Sequence, residues 1–310
     1  MSRALVTGAT GFIGRHTLTR LVDRGFEVHA VARSAPSDRS EATWHETDLL
    51  EAGAPERLVR ETGPSHLLHL AWFATPGEFW SSPQNDRWLE ASTNLVRAFA
   101  ATGGERVVVA GTCAEYDWGS GLCVEGETPL EPATVYGRCK HMLHERAEQI
   151  TQEAGIAAAW GRIFFVYGPS EDPNRLVASV IRSLLRGEEA RCTPGYQVRD
   201  FLHVEDVADA FVALFDSRAT GAVNIASGTP TRVRDLVELI AAAVGRRDLV
   251  RFGAVPKPPG EPSVLLADVR RLRDELGWVP HFSLEEGVLQ TVEWWRRQGA
   301  RVHANRDAES

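Results

Sequence analysis

A tyrosine and a lysine four residues apart, Tyr136 and Lys140, are the residues whose types and spacing most directly suggest catalysis. The residue pattern predicts a helix over 134–154, and side chains at positions i and i+4 of a helix share one face. The pKa of an ordinary tyrosine, ~10, makes it a poor acid or base at neutral pH, but a nearby ammonium group favours the phenolate. Tyr136 is therefore predicted to exchange a proton with a substrate oxygen. The alternative is a core tyrosine with a solvated lysine one turn away.

A threonine, Thr112, stands at the end of an apolar segment, Arg106–Ala110, that predicts a buried strand. At the carboxyl end of a strand in a parallel sheet, a hydroxyl lies in the crevice where ligands bind. Thr112 is therefore predicted to hold a substrate oxygen beside Tyr136. Its alternative role is a hydrogen bond to its own turn.

Three glycines directly follow the first apolar segment, Ala4–Thr7, and open a helical pattern over Ile13–Arg24. Glycine permits a tight turn, a close approach of the backbone to a pyrophosphate, and close packing of helix on sheet. The start of the helix adds unpaired N–H groups that favour phosphate. We interpret this context as a dinucleotide-binding loop rather than a merely structural turn. The cofactor contacts predicted in the loop are Gly8, Thr10, Gly11, Phe12, Ile13 and Gly14.

The end of the second predicted strand indicates which dinucleotide binds. An NAD-preferring site has Asp or Glu near this point to hold the ribose 2′-hydroxyl, whereas this chain has Ala32. Arg33 and Ser34 can pair with a 2′-phosphate instead, so NADP(H) is favoured and NAD(H) is the alternative. Arg33 is otherwise a solvated surface arginine. Asp48, with its neighbour Leu49, is predicted to contact the adenine, or else Asp48 caps the helix that follows.

The elements that must position these groups alternate through the first half of the chain. Their strand-like segments are continuous and apolar, as expected for a parallel sheet covered by helices on both faces. The predicted fold class is therefore α/β, with a doubly wound parallel Rossmann-type sheet. The predicted strands are Ala4–Thr7, Glu27–Ala32, 44–46, 67–71, 106–110 and 157–166. The less regular second half predicts a strand at 222–226 and helices at 174–186, 204–215, 231–244, 268–276 and 283–298.

Composition argues against several other classes of protein. The 310 residues are 43% hydrophobic and 25% charged, which is typical of a globular protein. The formal net charge of −8 gives no general attraction to nucleic acid or anionic lipid, and no apolar run reaches the ~18 residues of a membrane span. The cysteines form no Cys-x-x-Cys pair, the histidines show no metal-ligand spacing, and the first residues show no signal-peptide pattern. We expect a cytoplasmic protein with no metal, nucleic-acid or membrane partner.

Taken together, these residues resemble the extended short-chain dehydrogenase/reductases, also called the nucleotide-sugar epimerase/dehydratase family. The resemblance runs in the family's order over nearly the whole chain. Its matching segments are Thr7–Gly14, His69–Ala71, Asn94, Thr112–Tyr116, Tyr136–Lys140, Arg162, Tyr167–Pro169, Gln197–Phe201, His203–Ala208 and Leu276–Pro280.

The resemblance implies two domains, of which the second is a smaller C-terminal α/β lobe that binds a nucleoside-diphosphate sugar. We place the dinucleotide-binding Rossmann domain over 1–166 plus 203–228, and the nucleotide-sugar lobe over 167–202 plus 229–300. The polar segment 301–310 is expected to be disordered.

The resemblance also implies roles for single residues. It makes Tyr136 the acid/base, has Lys140 hydrogen-bond the nicotinamide ribose, and places Leu70 and Ala71 against the cofactor. It further implies a homodimer formed through two helices per subunit, for which the predicted helices 84–102 and 134–154 are candidates.

Departures from the family pattern narrow the reaction. Dehydratases of the family carry an Asp-Glu pair directly after the strand-end threonine, whereas this chain has Cys113 and Ala114. Neither can act as the carboxylate base and acid, which argues against dehydration. Members that combine 3,5-epimerisation with reduction have a cysteine at the place of Ala114. Because Cys113 is one residue early, we expect it to pack, with substrate contact as the alternative.

Two catalytic activities remain, and a third hypothesis is a regulator that binds NADP without turnover. The first activity is NADPH-dependent reduction of a nucleoside-diphosphate 4-keto-6-deoxysugar, with Tyr136 as the proton donor. The second is 4-epimerisation through a transient ketone with a retained NAD. Ala32 and Arg33 favour the reduction, and the segment Gly111–Asp117 is similar to that of 4-keto-6-deoxyhexose reductases. Tyr136 with Lys140 argues against the regulator.

The resemblance further implies the contacts of the sugar nucleotide. Arg199 matches an arginine that grips the diphosphate, unless it pairs with Asp200 or Asp206. The second arginine of the family is missing, and Lys257 is its nearest substitute. The family asparagine before Tyr167 is also missing, and Asn174 is the candidate that compensates.

An aromatic segment follows the fourth predicted strand and includes Trp72 and Trp80. Its Pro76 and Gly77 indicate a loop above the carboxyl edge of the sheet. We expect these rings to wall the sugar pocket, where an apolar surface would suit the methyl group of a 6-deoxysugar.

Overall fold

The computed structural model describes residues 2–37 and 42–308, with side chains up to residue 300. The strands are β1 Arg3–Thr7, β2 Glu27–Ala32, β3 Thr43–Glu46, β4 His66–His69, β5 Arg106–Thr112, β6 Leu122–Cys123, β7 Ala157–Ile163, β8 Phe165–Tyr167, β9 Ala190–Cys192, β10 Val198–His203, β11 Gly221–Ile225, β12 Pro230–Arg232, β13 Val250–Phe252 and β14 Val264–Ala267. The helices are α1 Leu18–Asp23, α2 Ala54–Thr62, α3 Gln84–Ala101, α4 Val135–Ala154, α5 Leu176–Leu185, α6 Val204–Asp216, α7 Val233–Val244, α8 Arg270–Asp274 and α9 Leu284–Ala308.

Seven strands form one parallel sheet in the order β11-β7-β5-β4-β1-β2-β3. All seven residues of β5 are buried, as expected for a central strand covered on both sides. The strand order reverses between β1 and β4, and in open sheets of this kind such a reversal leaves a crevice at the carboxyl ends of the strands. The predicted doubly wound parallel Rossmann-type sheet is confirmed.

Two separate apolar cores cover the faces of this sheet. On one face, α2, α3 and α4 contribute side chains such as Leu58, Phe99 and Leu143. On the other face, α1 and α6 pack with α8, and their largest buried side chains include Phe211 and Phe215. Burial of such side chains contributes about 1.5–3 kcal/mol each, so the sheet is a rigid platform for groups at its edge.

A smaller set of strands and helices forms the lobe. Strand β10 pairs antiparallel with β12 and parallel with β14 and β8, and β6 adds to the far side of β14. Helices α5, α7 and α9 pack against this sheet and the β9–β13 pair around a third apolar core. The short strand β6 and most of β8 lie before residue 167, and α8 packs on the large sheet. The domain limits expected from the sequence therefore do not coincide with the two sheets.

Several elements differ from those that the sequence pattern predicts. The helix expected over Ile13–Arg24 is a 3-10 turn at Gly14–His16 followed by α1, and the Thr17 hydroxyl donates to the Gly14 carbonyl at the junction. The strands of the lobe have two to six residues and were too short to show a period. Helix α9 reaches Ala308, so 301–308 are helical here, whereas the sequence predicts a disordered tail; residues 309 and 310 lie outside the described range. Within the described residues, none of the helices is both long and apolar enough to cross a membrane.

Candidate active site

The glycine loop turns tightly over the end of β1. Gly8 has a φ of 70°, and the Gly11 N–H donates to the Gly8 carbonyl at 2.9 Å. A Cβ on Gly14 would lie 2.2 Å from that same carbonyl oxygen, so only glycine permits this approach. Thr10 and Gly11 are exposed at the top of the turn, and Phe12 and Ile13 are half-buried beside it.

The loop is packed against the end of β4. A Cβ on Gly8 would lie 2.8 Å from the Ala71 nitrogen and 2.9 Å from the Leu70 carbonyl carbon. The Ala71 N–H donates to Thr7 Oγ1, which lies 2.6 Å from His69 Nδ1. Burial lowers the pKa of His69 to about 3, so this imidazole is neutral. The structure thus brings the predicted cofactor residues Leu70 and Ala71 to the glycine loop, and the glycine-only approaches leave a backbone cradle that fits a dinucleotide pyrophosphate.

The residues predicted to select the dinucleotide lie at the end of β2. Arg33 and Ser34 are exposed directly after this strand. Asp48 Oδ1 accepts a hydrogen bond from the Leu50 N–H at 3.0 Å, so it closes its own turn after β3. Leu49 beside it is buried. Asp48 therefore caps a turn and not the helix that follows, because α2 begins only at Ala54.

A cation that sequence reasoning missed lies on the glycine loop. The Arg15 guanidinium donates to the carbonyls of Thr10 and Gly11 at 2.7 and 3.1 Å. Burial lowers the pKa of Arg15 from its usual value. The position of this residue, one after Gly14, is the signal that could have indicated a charge beside the predicted pyrophosphate cradle.

Thr112 and Tyr136 meet at the carboxyl end of β5. Thr112 Oγ1 accepts from the Ala114 N–H at 3.2 Å and so caps a 3-10 turn, Cys113–Glu115, which is its alternative role. The Thr112 side chain also lies beside the Tyr136 phenol and lowers the pKa of that phenol, against a larger upward effect of burial. The capping interaction therefore also aims the threonine at the tyrosine.

Lys140 lies one turn further along α4 and is buried, with 3% of the residue exposed. Its Nζ donates to the Ala110 carbonyl of β5 at 2.8 Å and sits 4.0 Å from the centre of the Trp72 ring. Burial lowers the pKa of Lys140 to about 7. The predicted trio Thr112, Tyr136 and Lys140 is therefore brought together, with a lysine that is poised to change charge near neutral pH.

Three rings of the loop after β4, which we call the aromatic wall, surround Tyr136: Trp72, Phe79 and Trp80. Their ring centres lie 6.5, 5.0 and 5.8 Å from that of Tyr136, all edge-on to it. The buried Asn85 holds the loop, because it accepts from Trp72 Nε1 at 2.9 Å and donates to the Phe79 carbonyl at 2.7 Å. Trp80 packs against Phe79, with 4.3 Å between the ring centres, and is 40% exposed, so part of its side chain is accessible to a ligand.

A buried carboxylate that sequence reasoning missed lies behind the trio. Glu115 is fully buried and accepts from Arg162 Nε at 2.9 Å and from Trp160 Nε1 at 2.9 and 3.0 Å. It also accepts from the Thr112 N–H at 2.7 Å. The spacing of Thr112 and Glu115 matches the Ser/Thr-x-x-Glu pattern of a capping box, and this signal could have indicated the contact.

Glu115 also belongs to a group with possible metal ligands. Its carboxylate and the rings of His141 and His144 offer atoms within 4.8 Å of one another. The carboxylate oxygens already accept four hydrogen bonds from Thr112, Trp160 and the Arg162 guanidinium. A second cation would have to displace Arg162, so the donor set does not suit a metal ion.

Cys113 and Ala114 occupy the place of the catalytic carboxyl pair of the family's dehydratases. Cys113 is 7% exposed and packs in an apolar cluster with Tyr116, Cys123 and Phe164. Burial raises the pKa of its thiol, which therefore stays neutral. This is the packing role that the sequence predicts for Cys113.

The candidate diphosphate residues are spread over the lobe. Arg199 is 3% exposed and donates to Glu261 Oε1 and to the Pro262 carbonyl, both at 2.9 Å. The alternative prediction, a salt bridge from Arg199 to Asp200 or Asp206, is wrong. Arg199 pairs with Glu261, and both of those aspartates accept hydrogen bonds from backbone N–H groups of other segments. Lys257 and Asn174 are exposed, and no contact in the described residues joins them to Arg199.

Arg175, at the start of α5, is a further residue that sequence reasoning missed. Its guanidinium lies 5.8 Å from the centre of the Phe79 ring, on the aromatic wall. Its charge lowers the pKa of Tyr136, so it is close enough to act on the phenol electrostatically. Within the described residues, Arg175 forms no salt bridge. A substrate contact is predicted from the sequence for its neighbour Asn174 and not for Arg175.

The glycine loop after β1 and the tyrosine–lysine pair beside β5 lie at the same edge of the parallel sheet, and the loop is typical of a dinucleotide-binding Rossmann fold. Residues 4–226 match the NAD dependent epimerase/dehydratase family. This match covers most of the chain, which belongs to that family. The predicted family resemblance is confirmed.

Relatives of known function extend the similarity over both sheets. UDP-glucose 4-epimerase of Bacillus subtilis (strain 168) is 27% identical over 341 residues, covering 98% of this chain and 99% of that protein. The structure of UDP-glucose 4-epimerase from Thermotoga maritima with UDP-glucose has a TM-score of 0.84 at 26% identity, covering 96% and 99% of the two chains. The structure of MoeE5 with UDP-glucuronic acid and NAD has a TM-score of 0.84 at 31% identity, covering 96% and 100%.

We expect Gly14→Ala to weaken dinucleotide binding at least ~10-fold, because the new Cβ would displace the Gly8 carbonyl from the cradle. Calorimetric titration with NAD and NADP measures the loss. Gly25→Ala is the matched control: Gly25 has a φ of 81° and no atom within 4 Å of its added Cβ. That variant should lose stability but keep its affinity, and equal affinities for both variants would contradict the assignment of the loop.

We expect the stability of the nucleotide-free protein, relative to Lys140→Met, to rise between about pH 7 and pH 10. The pKa of Lys140 is about 7 in the folded state against 10.5 for an ordinary lysine, so the unfolded chain holds more protons in this window and the free energy of unfolding increases as pH rises. The slope reaches at most about 1.4 kcal/mol per pH unit. Urea unfolding at several pH values measures it. The exposed Lys257→Met is the control, and curves for Lys140→Met that run parallel to wild type would contradict the buried ammonium.

Proposed function

We propose that the protein oxidises and re-reduces a secondary alcohol of a nucleoside-diphosphate sugar, and that the reaction is epimerisation at C4 through a transient ketone. The observation that carries this proposal is the convergence of the Thr112 hydroxyl, the Tyr136 phenol and the Lys140 ammonium at one end of β5. Such a trio suits proton transfer to and from an alcohol oxygen. The UDP-glucose 4-epimerases among the relatives support the choice of reaction and sugar nucleotide.

The chain's own residues would divide the work as follows. A bound NAD supplies the acceptor and donor of hydride. Tyr136, as the phenolate, would take the proton of the sugar hydroxyl during oxidation at that carbon, and would return it to the oxygen of the ketone during re-reduction from the opposite face. Thr112 donates to the reacting oxygen as negative charge develops there. Lys140 stabilises the phenolate by its positive charge.

Dehydration remains disfavoured by the geometry. Elimination needs a base that removes a proton beside the ketone, and the two positions after Thr112 hold a neutral buried thiol and a methyl group. The nearest carboxylate, Glu115, is fully occupied by Arg162, Trp160 and the Thr112 N–H. Within the described ranges, these groups therefore leave no free carboxylate directly after Thr112 to act as the base for elimination.

A second candidate function is reduction of a 4-keto sugar by exchangeable NADPH. It rests on the end of β2, where Ala32 stands in place of the acidic residue that favours NAD and is followed by Arg33 and Ser34, which can pair with a 2′-phosphate. The aromatic wall, with its partly exposed Trp80, would suit a 6-deoxysugar in this reaction. Arg199, Lys257 and Asn174 remain proposed contacts of the diphosphate and sugar.

We expect Tyr136→Phe to lower kcat at least ~10³-fold while leaving the sugar nucleotide's Kd within a few-fold, because the ring stays and the proton donor goes. The assay follows interconversion of UDP-glucose and UDP-galactose without added cofactor. Tyr196→Phe is the matched control, since Tyr196 is 74% exposed and its variant should retain full activity. Wild-type activity surviving in Tyr136→Phe would remove the tyrosine from the mechanism.

We expect the purified protein to release about one equivalent of NAD on denaturation, and Arg33→Ala to retain the same amount, because an epimerase regenerates its cofactor. Chromatography of the released nucleotide measures both. Cofactor-free protein that consumes NADPH only with a keto-sugar nucleotide, with at least ~10-fold weaker NADPH binding in Arg33→Ala, would instead establish the reductase. A protein that binds NADP and turns over none of these substrates would establish the regulator.

A further inference from the structure

We propose that Glu115 is a positioning residue of this active site: its buried carboxylate fixes the main chain of Thr112 and supplies the negative charge that keeps Lys140 an ammonium group. This inference rests on the proposed function only for its kinetic readout. Its other readout, the ionisation of Lys140, needs no substrate.

The first half of the role is geometric. Glu115 closes the 3-10 turn that begins after β5, and its Oε1 accepts from the Thr112 N–H at 2.7 Å. Thr112 Oγ1 in turn accepts from the Ala114 N–H, which completes the reciprocal capping box. The backbone of Thr112 is therefore held from both sides, and its side chain, which acts on the Tyr136 phenol, is fixed by the same turn.

The carboxylate itself is locked in place. It is fully buried, Arg162 Nε and Trp160 Nε1 donate to it, and Arg162 and Trp160 are each 2% exposed. A Cβ on Gly111 would lie 2.7 Å from Glu115 Oε1 and 2.1 Å from Trp160 Nε1, so the strand has glycine where this group needs room. Every hydrogen-bond partner of the Glu115 carboxylate is an N–H group, and an ionised carboxylate is the form that only accepts hydrogen bonds.

The second half of the role is electrostatic. Lys140 forms no salt bridge within the described part of the chain, and its one hydrogen-bond acceptor there is the neutral Ala110 carbonyl. Lys140 Nζ binds the Ala110 carbonyl and Glu115 Oε1 binds the Thr112 N–H, so both charged groups lie against the same end of β5. Burial lowers the pKa of Lys140 to about 7, and the charge of Glu115 raises it against that burial. The Trp72 ring at 4.0 Å also favours the cation.

The other groups that face Lys140 do not supply this charge. His69 of β4 is neutral, and the Cys113 thiol of the same turn as Glu115 is neutral too. From α3, Asp86 accepts from the Cys139 thiol at 3.5 Å rather than from the lysine. Arg162 of β7 is paired with Glu115 itself.

The remaining titratable groups near Lys140 lie on its own helix, α4. Burial lowers the pKa of His144, whose ring stacks on Trp160 at 4.7 Å, so it is neutral at ordinary pH. His141 Nε2 faces the exposed Glu145 at 3.5 Å. The negative charge of Glu115 acts on Tyr136 as well as on Lys140, since it raises the pKa of the Tyr136 phenol. Removing the charge of Glu115 should thus lower the pKa of both catalytic groups.

The chain has only two lysines, Lys140 and Lys257, which makes the ionisation of Lys140 directly measurable. Full-length protein labelled with ¹³C-lysine gives two side-chain signals, assigned with Lys257→Arg. We expect Glu115→Gln to lower the midpoint of the Lys140 titration by about one pH unit or more, both without nucleotide and with saturating NAD. The signal of the exposed Lys257 should titrate alike in both proteins and serves as the internal reference.

The kinetic readout distinguishes this role from a merely structural one. Loss of the charge should move the whole pH profile of kcat/KM for the sugar nucleotide to lower pH, in addition to any fall in rate. Trp160→Phe is the matched control: it removes the Nε1 donor that both carboxylate oxygens share and leaves the charge of Glu115, so the rate and stability should fall while the pH profile stays in place. If wild type itself shows no turnover of sugar nucleotides, the proposed function fails, and the NMR titration still decides the role of Glu115.

Glu115→Gln leaves the Arg162 guanidinium buried and unpaired, and that variant can fail to fold. Glu115→Gln combined with Arg162→Gln removes both charges and keeps an amide pair, so it provides the second variant. We expect the Lys140 midpoint to fall in it as well. A Lys140 midpoint equal to that of wild type in either folded variant overturns the proposal.

Discussion

The buried ion pair between Glu115 and Arg162 connects the active site to both sheets. Arg162 Nη1 donates to the Tyr116 hydroxyl at 3.0 Å, and that hydroxyl donates to Asn224 Oδ1 at 2.8 Å. The Asn224 amide then donates to the Cys123 and Asp268 carbonyls next to β6 and β14. Removing one member of such a network leaves a buried charge unpaired, at a cost of about 3–5 kcal/mol, so the pair constrains the large sheet, the lobe and the trio together.

Two opposing effects act on the catalytic groups at the end of β5. Burial within the aromatic wall and under α4 disfavours every charged form, and raises the pKa of Tyr136 while it lowers that of Lys140. The compensation comes from oriented partners: the Thr112 hydroxyl for the phenol, and the Ala110 carbonyl, the Trp72 ring and the Glu115 charge for the ammonium. A dry site with fixed dipoles is the kind of environment in which small changes of charge have large effects on rate.

Patterns local in sequence predicted much of this architecture. Continuous apolar segments such as β5 indicated the parallel sheet, and the spacing of Tyr136 and Lys140 on α4 indicated their shared face. Contacts between distant segments could not be predicted: Arg199 and Glu261 are 62 residues apart, and Trp72 meets Lys140 only once β4 and α4 lie side by side. The short strands of the lobe depend on their partners in the same way. The contact of Glu115 with Thr112 was predictable, because Thr112-x-x-Glu115 is a capping-box pattern within four residues. It was missed because a glutamate is normally expected at the surface.

The pairing of Arg199 with Glu261 has a consequence for how an anion would enter the lobe. The guanidinium is already satisfied by a carboxylate and by the Pro262 and Val198 carbonyls. An arriving phosphate group would therefore replace one negative partner by another and free the segment around Glu261, so the local charge at Arg199 would change little. Binding by such an exchange depends less on salt concentration than capture by a bare cation does.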